Sequence, residues 1–296
     1  NPATYLRSLL QTNVKDGSDV VLTLDFNIQS FAESLLKNAT ENFNIEEGTI
    51  IVIDPRSGKI LTLASTPSFD PNRYATRRDF SLFQNPAVQK IFEPGSVFKP
   101  ITMAGALQEK KVTPETMYED KGVLQIGGYK IYNYDNRVWG ERSMREVLEF
   151  SINTGAVFAK EQLGDDKFLE YIEKFGIFEP TGIDLPGEAY SQNRELRQGR
   201  EINLATAAFG QGVEMTPLQL LRAFTAFANG GRMADPYIVK ASHRQQKQVL
   251  SLETATTITS MLVSVIEEGY SKRARIPGYY IAGKTGTAQI SWSALG

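Results

Sequence analysis

Apolar positions along the chain switch between a period of two and a period near 3.6, and the switches mark the elements. Val20 to Leu24 predicts a strand, and Asp25 behind it caps a helix with Ile28, Phe31, Leu35 and Leu36 on one face. Gly48 to Ile53 and Lys59 to Ala64 flank the turn Pro55-Arg56-Ser57-Gly58, a β-hairpin. Residues 65–78, with Pro67 and Pro71, read as a connecting loop. Ile101, Ala104 and Leu107 recur at helical spacing behind a Pro94-Gly95 turn. Residues 118–140 are rich in Gly, Tyr and Asn, with short strand-like pieces such as Gly122 to Ile126. Ser143 and Glu146 form a capping box that opens a helix through Val147, Leu148 and Phe150, interrupted at Ser151 to Gly155.

A helical pattern resumes over Val157 to Leu163, and Asp165 to Phe175 predicts a further helix closed by Gly176. Residues 177–203 read as loop. Thr216-Pro217 opens a helix that Asn229-Gly230-Gly231 closes, with Leu218, Leu221, Phe224 and Ala228 between them. Ser251 caps a last helix bearing Ile258, Leu262 and Val265. Gly278 to Ala282 then predicts a strand running into Gly283-Lys284-Thr285-Gly286-Thr287. Strands do not alternate regularly with helices, so the pattern predicts an α/β (α+β) chain with antiparallel pairing.

Composition narrows the chemistry. The 296 residues are 41% hydrophobic and carry a net charge of −2, enough for a full core and without the basic excess of a nucleic-acid binder. Cysteine is absent, which removes disulfides, thiol catalysis and cysteine-ligated metals. The single histidine, His243, lies in the polar run Ser242 to Lys247, a loop setting in which it cannot serve a Ser-His-Asp triad. A nucleophile in this chain must therefore be activated by lysine, a carboxylate or tyrosine. No apolar run is long enough to span a membrane and no signal-peptide pattern is present. The start at Asn1, without Met, predicts a piece excised from a longer protein, with residues 1–18 as the end of an N-terminal connector and 19–296 as one domain.

Three short motifs carry candidate chemistry. In Glu93 to Pro100 a turn delivers Ser96 to the start of a helix, with Lys99 three residues on and on the same face. A hydroxyl beside a lysine at an electropositive helix end is a candidate nucleophile. The same spacing recurs at Ser34 and Lys37, within an amphipathic pattern that reads as helix surface. Ser151-Ile152-Asn153 sits at a helix break, where side chains can point into a cleft; Ser191-Gln192-Asn193 repeats the pattern in a loop. Lys284-Thr285-Gly286 offers an ammonium and a hydroxyl to a carboxylate, with a glycine that lets a peptide backbone come close.

Ser-x-x-Lys, Ser-x-Asn and Lys-Thr-Gly in this order resemble the motif set of penicillin-binding proteins and serine β-lactamases. From about Asp19 onward the chain resembles the transpeptidase domain of class B penicillin-binding proteins. Supporting stretches are Gly48 to Pro55 with Gly58, Pro67 to Asn72, Phe209-Gly210-Gln211-Gly212, Thr216 to Leu220 and Arg275 to Tyr279. The resemblance implies a peptidoglycan D,D-transpeptidase: Ser96 as nucleophile toward the D-alanyl-D-alanine end of stem peptides, and Lys99 as its base. It implies Ser151 as a proton relay, Asn153 as a holder of the substrate amide, and Lys284 and Thr285 as the carboxylate site beside Gly286. Backbone N–H groups of Ser96 and Thr287 would form the oxyanion hole.

The same resemblance implies covalent inhibition by β-lactam antibiotics, no cofactor and no metal. It implies an extracytoplasmic, membrane-anchored parent working with a glycan polymerase and with division or elongation proteins. The family fold continues with two more strands and a C-terminal helix after the position that Gly296 occupies, so the last strands of the sheet are expected to be missing. Hydrolytic relatives need a deacylating glutamate in a Glu-x-x-Leu-Asn loop, which is absent, or Ser-x-Val in the middle motif, where position 153 is Asn. A D,D-carboxypeptidase shares all three motifs. A penicillin-sensing or catalytically silent scaffold is the alternative of another class, and the intact Ser96, Lys99, Ser151, Asn153 and Lys284 argue against silence.

Overall fold

The computed structural model describes residues 17–76, 78–240 and 245–288. His243 and most of the 1–18 connector lie outside the described residues.

Helix α1 (Phe26–Phe43) starts where Asp25 accepts hydrogen bonds from the N–H groups of Asn27 and Ile28. The hairpin follows as β1 (Gly48–Ile53) and β2 (Ile60–Thr66), antiparallel from Gly48 opposite Thr66 to Ile53 opposite Ile60, with a register shift between Val52 and Ile53. Its turn is tied by Asp54, which accepts from Ser57 Oγ at 2.6 Å and Arg56 N at 3.1 Å. The face of α1 differs from expectation. Gln29 Oε1 accepts from Thr62 Oγ1 and Leu63 N of β2, and this rotates Ala32 and Leu36 inward. Phe31 and Leu35 are left exposed. Val20 to Leu24 is not a strand either: it makes a single antiparallel bridge, Leu22 to Val239.

Helix α2 (Lys99–Gln108) is buried along almost its whole length and packs against the helices that follow. Two small antiparallel pairs come next. β3 (Met117–Asp120) pairs with β6 (Gly140–Ser143), and between them β4 (Val123–Ile126) pairs with β5 (Tyr129–Tyr132). The Ser143–Glu146 capping box opens α3 (Met144–Glu149) as predicted. Helix α4 (Asn153–Leu163) resumes at Asn153, earlier than the apolar spacing suggests, and α5 (Asp165–Lys174) follows. The loop expected over 177–203 contains a helical turn at Arg194–Arg197 and the start of α6 (Glu201–Ala207).

Thr216 and Gln219 exchange a full capping box at the head of α7 (Pro217–Ala228). Its buried side is Leu218, Gln219, Arg222, Ala223, Ala226 and Phe227, while Ala228 is exposed. β7 (Arg232–Ala234) and β8 (Gln246–Gln248) form a last pair, and α8 (Leu252–Glu267) buries Ile258, Leu262 and Val265 as predicted. One apolar core joins α2 to α3, α4, α5, α7 and α8 through residues such as Phe98, Ile101, Met144, Leu148, Phe168 and Ile258. A second cluster, with Ile60, Val88, Leu218 and Ile238, lies under the hairpin.

The strand predicted over Gly278 to Ala282, running into Gly283 to Thr287, is the main correction. The segment is irregular, with one bridge between Ile276 and Tyr279 and a hydrogen bond from Gly283 N to Leu262 O at 3.1 Å. A strand exists only against a neighbour, and among the described residues nothing forms a ladder with 281–288. No described helix is long and apolar enough to cross a membrane.

Candidate active site

Ser96 sits in a 3₁₀ turn, Gly95–Phe98, rather than in the first turn of the α-helix. The Lys99 N–H closes that turn on Ser96 O, and α2 begins at Lys99. Residues three apart lie on one side of such a turn, so Ser96 and Lys99 share a face. Two pieces of chain brace the turn from below. Phe92 and Met215 exchange both backbone hydrogen bonds, at 2.9 and 3.1 Å, and Gly95 N donates to Gly210 O at 2.9 Å. Gly210 has φ +86°, and a Cβ there would lie 1.9 Å from Gly95 O. From the other side, a Cβ on Gly286 would lie 2.8 Å from Pro94 O, and one on Gly95 would lie 2.5 Å from Thr287 O. Three backbones therefore converge where only glycine leaves room.

Lys99 is 1% exposed, and its ammonium reaches three acceptors: Ser151 O at 2.5 Å, Ser151 Oγ at 3.1 Å and Asn153 Oδ1 at 2.8 Å. Burial first, and the neighbouring Lys284 second, hold its pKa well below the ordinary lysine value. Ser151 lies in the break between α3 and α4 with φ +57°, a left-handed conformation that costs a non-glycine residue about 1–2 kcal/mol. That conformation aims both its carbonyl and its hydroxyl at Lys99. Asn153, the first residue of α4, presents Oδ1 to Lys99 and donates from Nδ2 to Tyr132 O at 2.9 Å.

Lys284 completes the arrangement. Its Nζ donates to Ser151 Oγ at 2.9 Å, and burial lowers its pKa to about 8. Ser151 Oγ thus bridges two lysines. When Lys99 is neutral, its two N–H groups satisfy Ser151 O and Asn153 Oδ1, which can only accept. Its lone pair then faces the Ser151 hydroxyl. Lys284 in turn donates to Ser151 Oγ, so a proton can pass along Lys284, Ser151 and Lys99 without any group changing place.

Ser96, Ser151, Asn153, Thr285, Gly286 and Thr287 line one cavity of about 690 Å³, walled by Tyr132, Gln211 and Tyr270. With the two lysines held on Ser151, all eight residues singled out in the sequence are brought to one place. The two decoys are elsewhere: Ser34 and Lys37 are exposed on α1, where Ser34 Oγ donates to Phe31 O. Asn193 is buried and ties its loop to Glu214 N and O, with Ser191 Oγ on the Glu214 carboxylate. Sequence reasoning assigns no role to Gly210, or to Asp120, Asn133 and Thr154, which lie behind Asn153. Among the described residues no cluster of His, Cys, Asp or Glu could hold a metal ion.

The model of the penicillin-binding protein transpeptidase domain matches residues 48–293. The chain belongs to this family. It is 37% identical to stage V sporulation protein D of Bacillus subtilis, over 94% of this chain and 45% of that protein. Two solved transpeptidase structures superpose closely. The D,D-transpeptidase domain of a peptidoglycan glycosyltransferase from Eggerthella lenta gives a TM-score of 0.81 at 29% identity, covering 93% of this chain and 73% of that one. Penicillin-binding protein 3 of Mycobacterium tuberculosis, in complex with aztreonam, gives 0.87 at 29% identity, covering 96% and 68%. The chain spans about half the length of the curated relatives it matches.

Proposed function

We propose that this domain is a peptidoglycan D,D-transpeptidase acting through an acyl-enzyme on Ser96. The observation that carries the reading is the Lys99–Ser151–Lys284 relay beside Ser96, in a cavity shared with Thr285 to Thr287. Lys99, kept toward its neutral form by burial, turns its lone pair from Ser151 Oγ to Ser96 Oγ and takes the Ser96 hydroxyl proton as Oγ attacks the penultimate D-alanine carbonyl of a donor stem peptide. N–H groups of Ser96 and Thr287 stabilise the oxyanion, and Asn153 Nδ2 holds the substrate amide once released from Tyr132 O. As the C–N bond breaks, the proton reaches the leaving D-alanine amine through Ser151. An amine of a neighbouring stem then attacks the ester, gives its proton to Lys99, and Ser96 Oγ leaves reprotonated. Lys284 and Thr285 bind the terminal carboxylate, so a β-lactam, which presents the same carboxylate and a strained amide, acylates Ser96 as well.

In this reading the domain works on the extracytoplasmic side of the membrane, held there by an anchor of the full-length protein. It works beside a glycan polymerase and division or elongation proteins. Incubated with a donor stem peptide and an acceptor amine, the full-length protein is expected to release D-alanine and form a cross-linked dimer. D-alanine released without dimer would make it a carboxypeptidase instead.

The two lysines set opposite pH limits. Acylation needs Lys99 neutral, so its rate rises as pH passes upward through the lowered Lys99 pKa. Carboxylate capture needs Lys284 cationic and is lost as pH passes upward through about 8. The second-order acylation rate with a penicillin is expected to be bell-shaped, with its alkaline limb near pH 8. A rate that keeps rising well above that limb would contradict the assignment of Lys284.

A further inference from the structure

Helix α4 begins without a cap of its own. Ile152 at its N-terminus offers no side-chain acceptor, yet the first N–H groups of a helix have no internal partner. The acceptor comes from another element. Asn133 Oδ1, just beyond β5, receives Asn153 N at 3.0 Å and Thr154 N at 3.1 Å. Asn133 is in turn fixed by its Nδ2, which donates to Asp120 Oδ2 at 2.8 Å and Arg137 O at 3.1 Å.

Asp120 is 1% exposed, and five neutral donors surround its carboxylate. Tyr118 OH, Thr154 Oγ1 and Gly122 N lie 2.9, 2.7 and 2.9 Å from Oδ1. Asn133 Nδ2 and Trp139 N each lie 2.8 Å from Oδ2. Burial works to raise the Asp120 pKa, but the hydrogen bonds from Thr154, Gly122, Trp139 and Tyr118 together outweigh it and leave it lowered. An ionised carboxylate, which accepts on every lone pair, fits this set of donors. The side chains of Asp120 and Thr154 do not line the cavity that holds Ser96.

We propose that Asp120, Asn133 and Thr154 are positioning residues for acylation: they hold the head of α4 so that Ser151 and Asn153 meet Lys99. This rests on the transpeptidase reading above. The backbone of Asn153 is held by Asn133 and its side chain by Tyr132 O, so the end of β5 fixes both ends of the residue that solvates Lys99. Displacement of a catalytic group by about 1 Å costs on the order of a hundredfold in rate.

The test is single-turnover acylation of the full-length protein by a fluorescent penicillin. Rates are taken per active molecule from titration of the labelled sites, and reversible binding is separated from the acylation step. Thr154→Val keeps the shape and removes the hydroxyl. It is expected to slow the acylation step about 10- to 100-fold with reversible binding nearly unchanged, and Thr154→Ser is expected to restore the rate to within about threefold. A merely structural role would lower the number of active molecules and leave the rate of each one alone. Should Thr154→Val not fold, Tyr118→Phe removes one donor only and is expected to slow the step about threefold or more. Wild-type rates in Thr154→Val or Tyr118→Phe, or a Thr154→Ser variant as slow as Thr154→Val, would overturn the proposal. A wild-type protein that takes no label at Ser96 overturns the transpeptidase reading itself, and the two failures are told apart in the same experiment.

Discussion

Lys99→Arg abolishes acylation of Ser96 by penicillin, with a fall of about a thousandfold or more in the acylation rate as the expected result. The reason is protonation and not size alone. Arginine stays charged in any protein setting and has no lone pair to accept the serine proton. Its planar fork also cannot meet Ser151 O, Ser151 Oγ and Asn153 Oδ1, which converge on one nitrogen. Lys99→Met should be equally inactive for a different reason. It is neutral but offers no base, and it leaves two half-buried carbonyl acceptors without their donor, at about 1 kcal/mol each. Thermal melting reports the stability that each variant loses through unmet acceptors, and the acylation rate, read per folded molecule, reports the loss of the base in both. Lys37→Met, on the exposed face of α1, should change neither.

Gly210→Ala is expected to destabilise the protein by roughly 3 kcal/mol or more and to lower its melting temperature by about 5 °C or more. Two independent costs add there. The backbone has φ +86°, which L side chains rarely adopt, and the new Cβ would sit 1.9 Å from Gly95 O and 2.7 Å from Gly95 N. Both neighbours are backbone, so no rotamer change relieves the overlap. Relief requires moving Gly95, whose N–H bonds to Gly210 O, and with it the turn that carries Ser96. Acylation should therefore fall even in molecules that fold. Gly128→Ala is the control: a Cβ there meets nothing within 4 Å, and the effect should stay within about 0.5 kcal/mol. Equal melting temperatures for the two variants would show that the serine turn tolerates movement that this packing forbids.

What is legible in the sequence follows the range of each interaction. Asp25, Ser143 with Glu146, Thr216 with Pro217, and Ser251 announce helix starts because a cap acts on N–H groups two or three residues away. The buried face of α1 departs from its apolar pattern because Gln29, a polar residue, docks on β2 and sets the rotation. The Gly278 to Ala282 segment has the residues of a strand, but a ladder depends on a neighbour that no local pattern reveals. Ser96, Lys99, Ser151, Asn153 and Lys284 stand out through motif spacing, and the fold joins them over separations of 52 to 133 residues. Asp120 and Asn133 carry no such signal. Asp120 lies in the stretch 118–140, rich in Gly, Tyr and Asn, with nothing local to mark it, and only the fold shows that its carboxylate reaches Asn133, Trp139 and Thr154. Gly210 lies in a stretch that stands out only by resemblance. Its physical reason, the close passage of Gly95, is a contact between segments far apart in the chain.

The identity of the nucleophile is tested most directly by the mass of the protein after exposure to benzylpenicillin. The expected result is one penicilloyl group per chain, carried on the fragment that contains Ser96 and absent from Ser96→Ala. Ser34→Ala, which removes the decoy serine, should be labelled like the wild type. An adduct that persists in Ser96→Ala, or that maps to a fragment without Ser96, would contradict the assignment of the nucleophile.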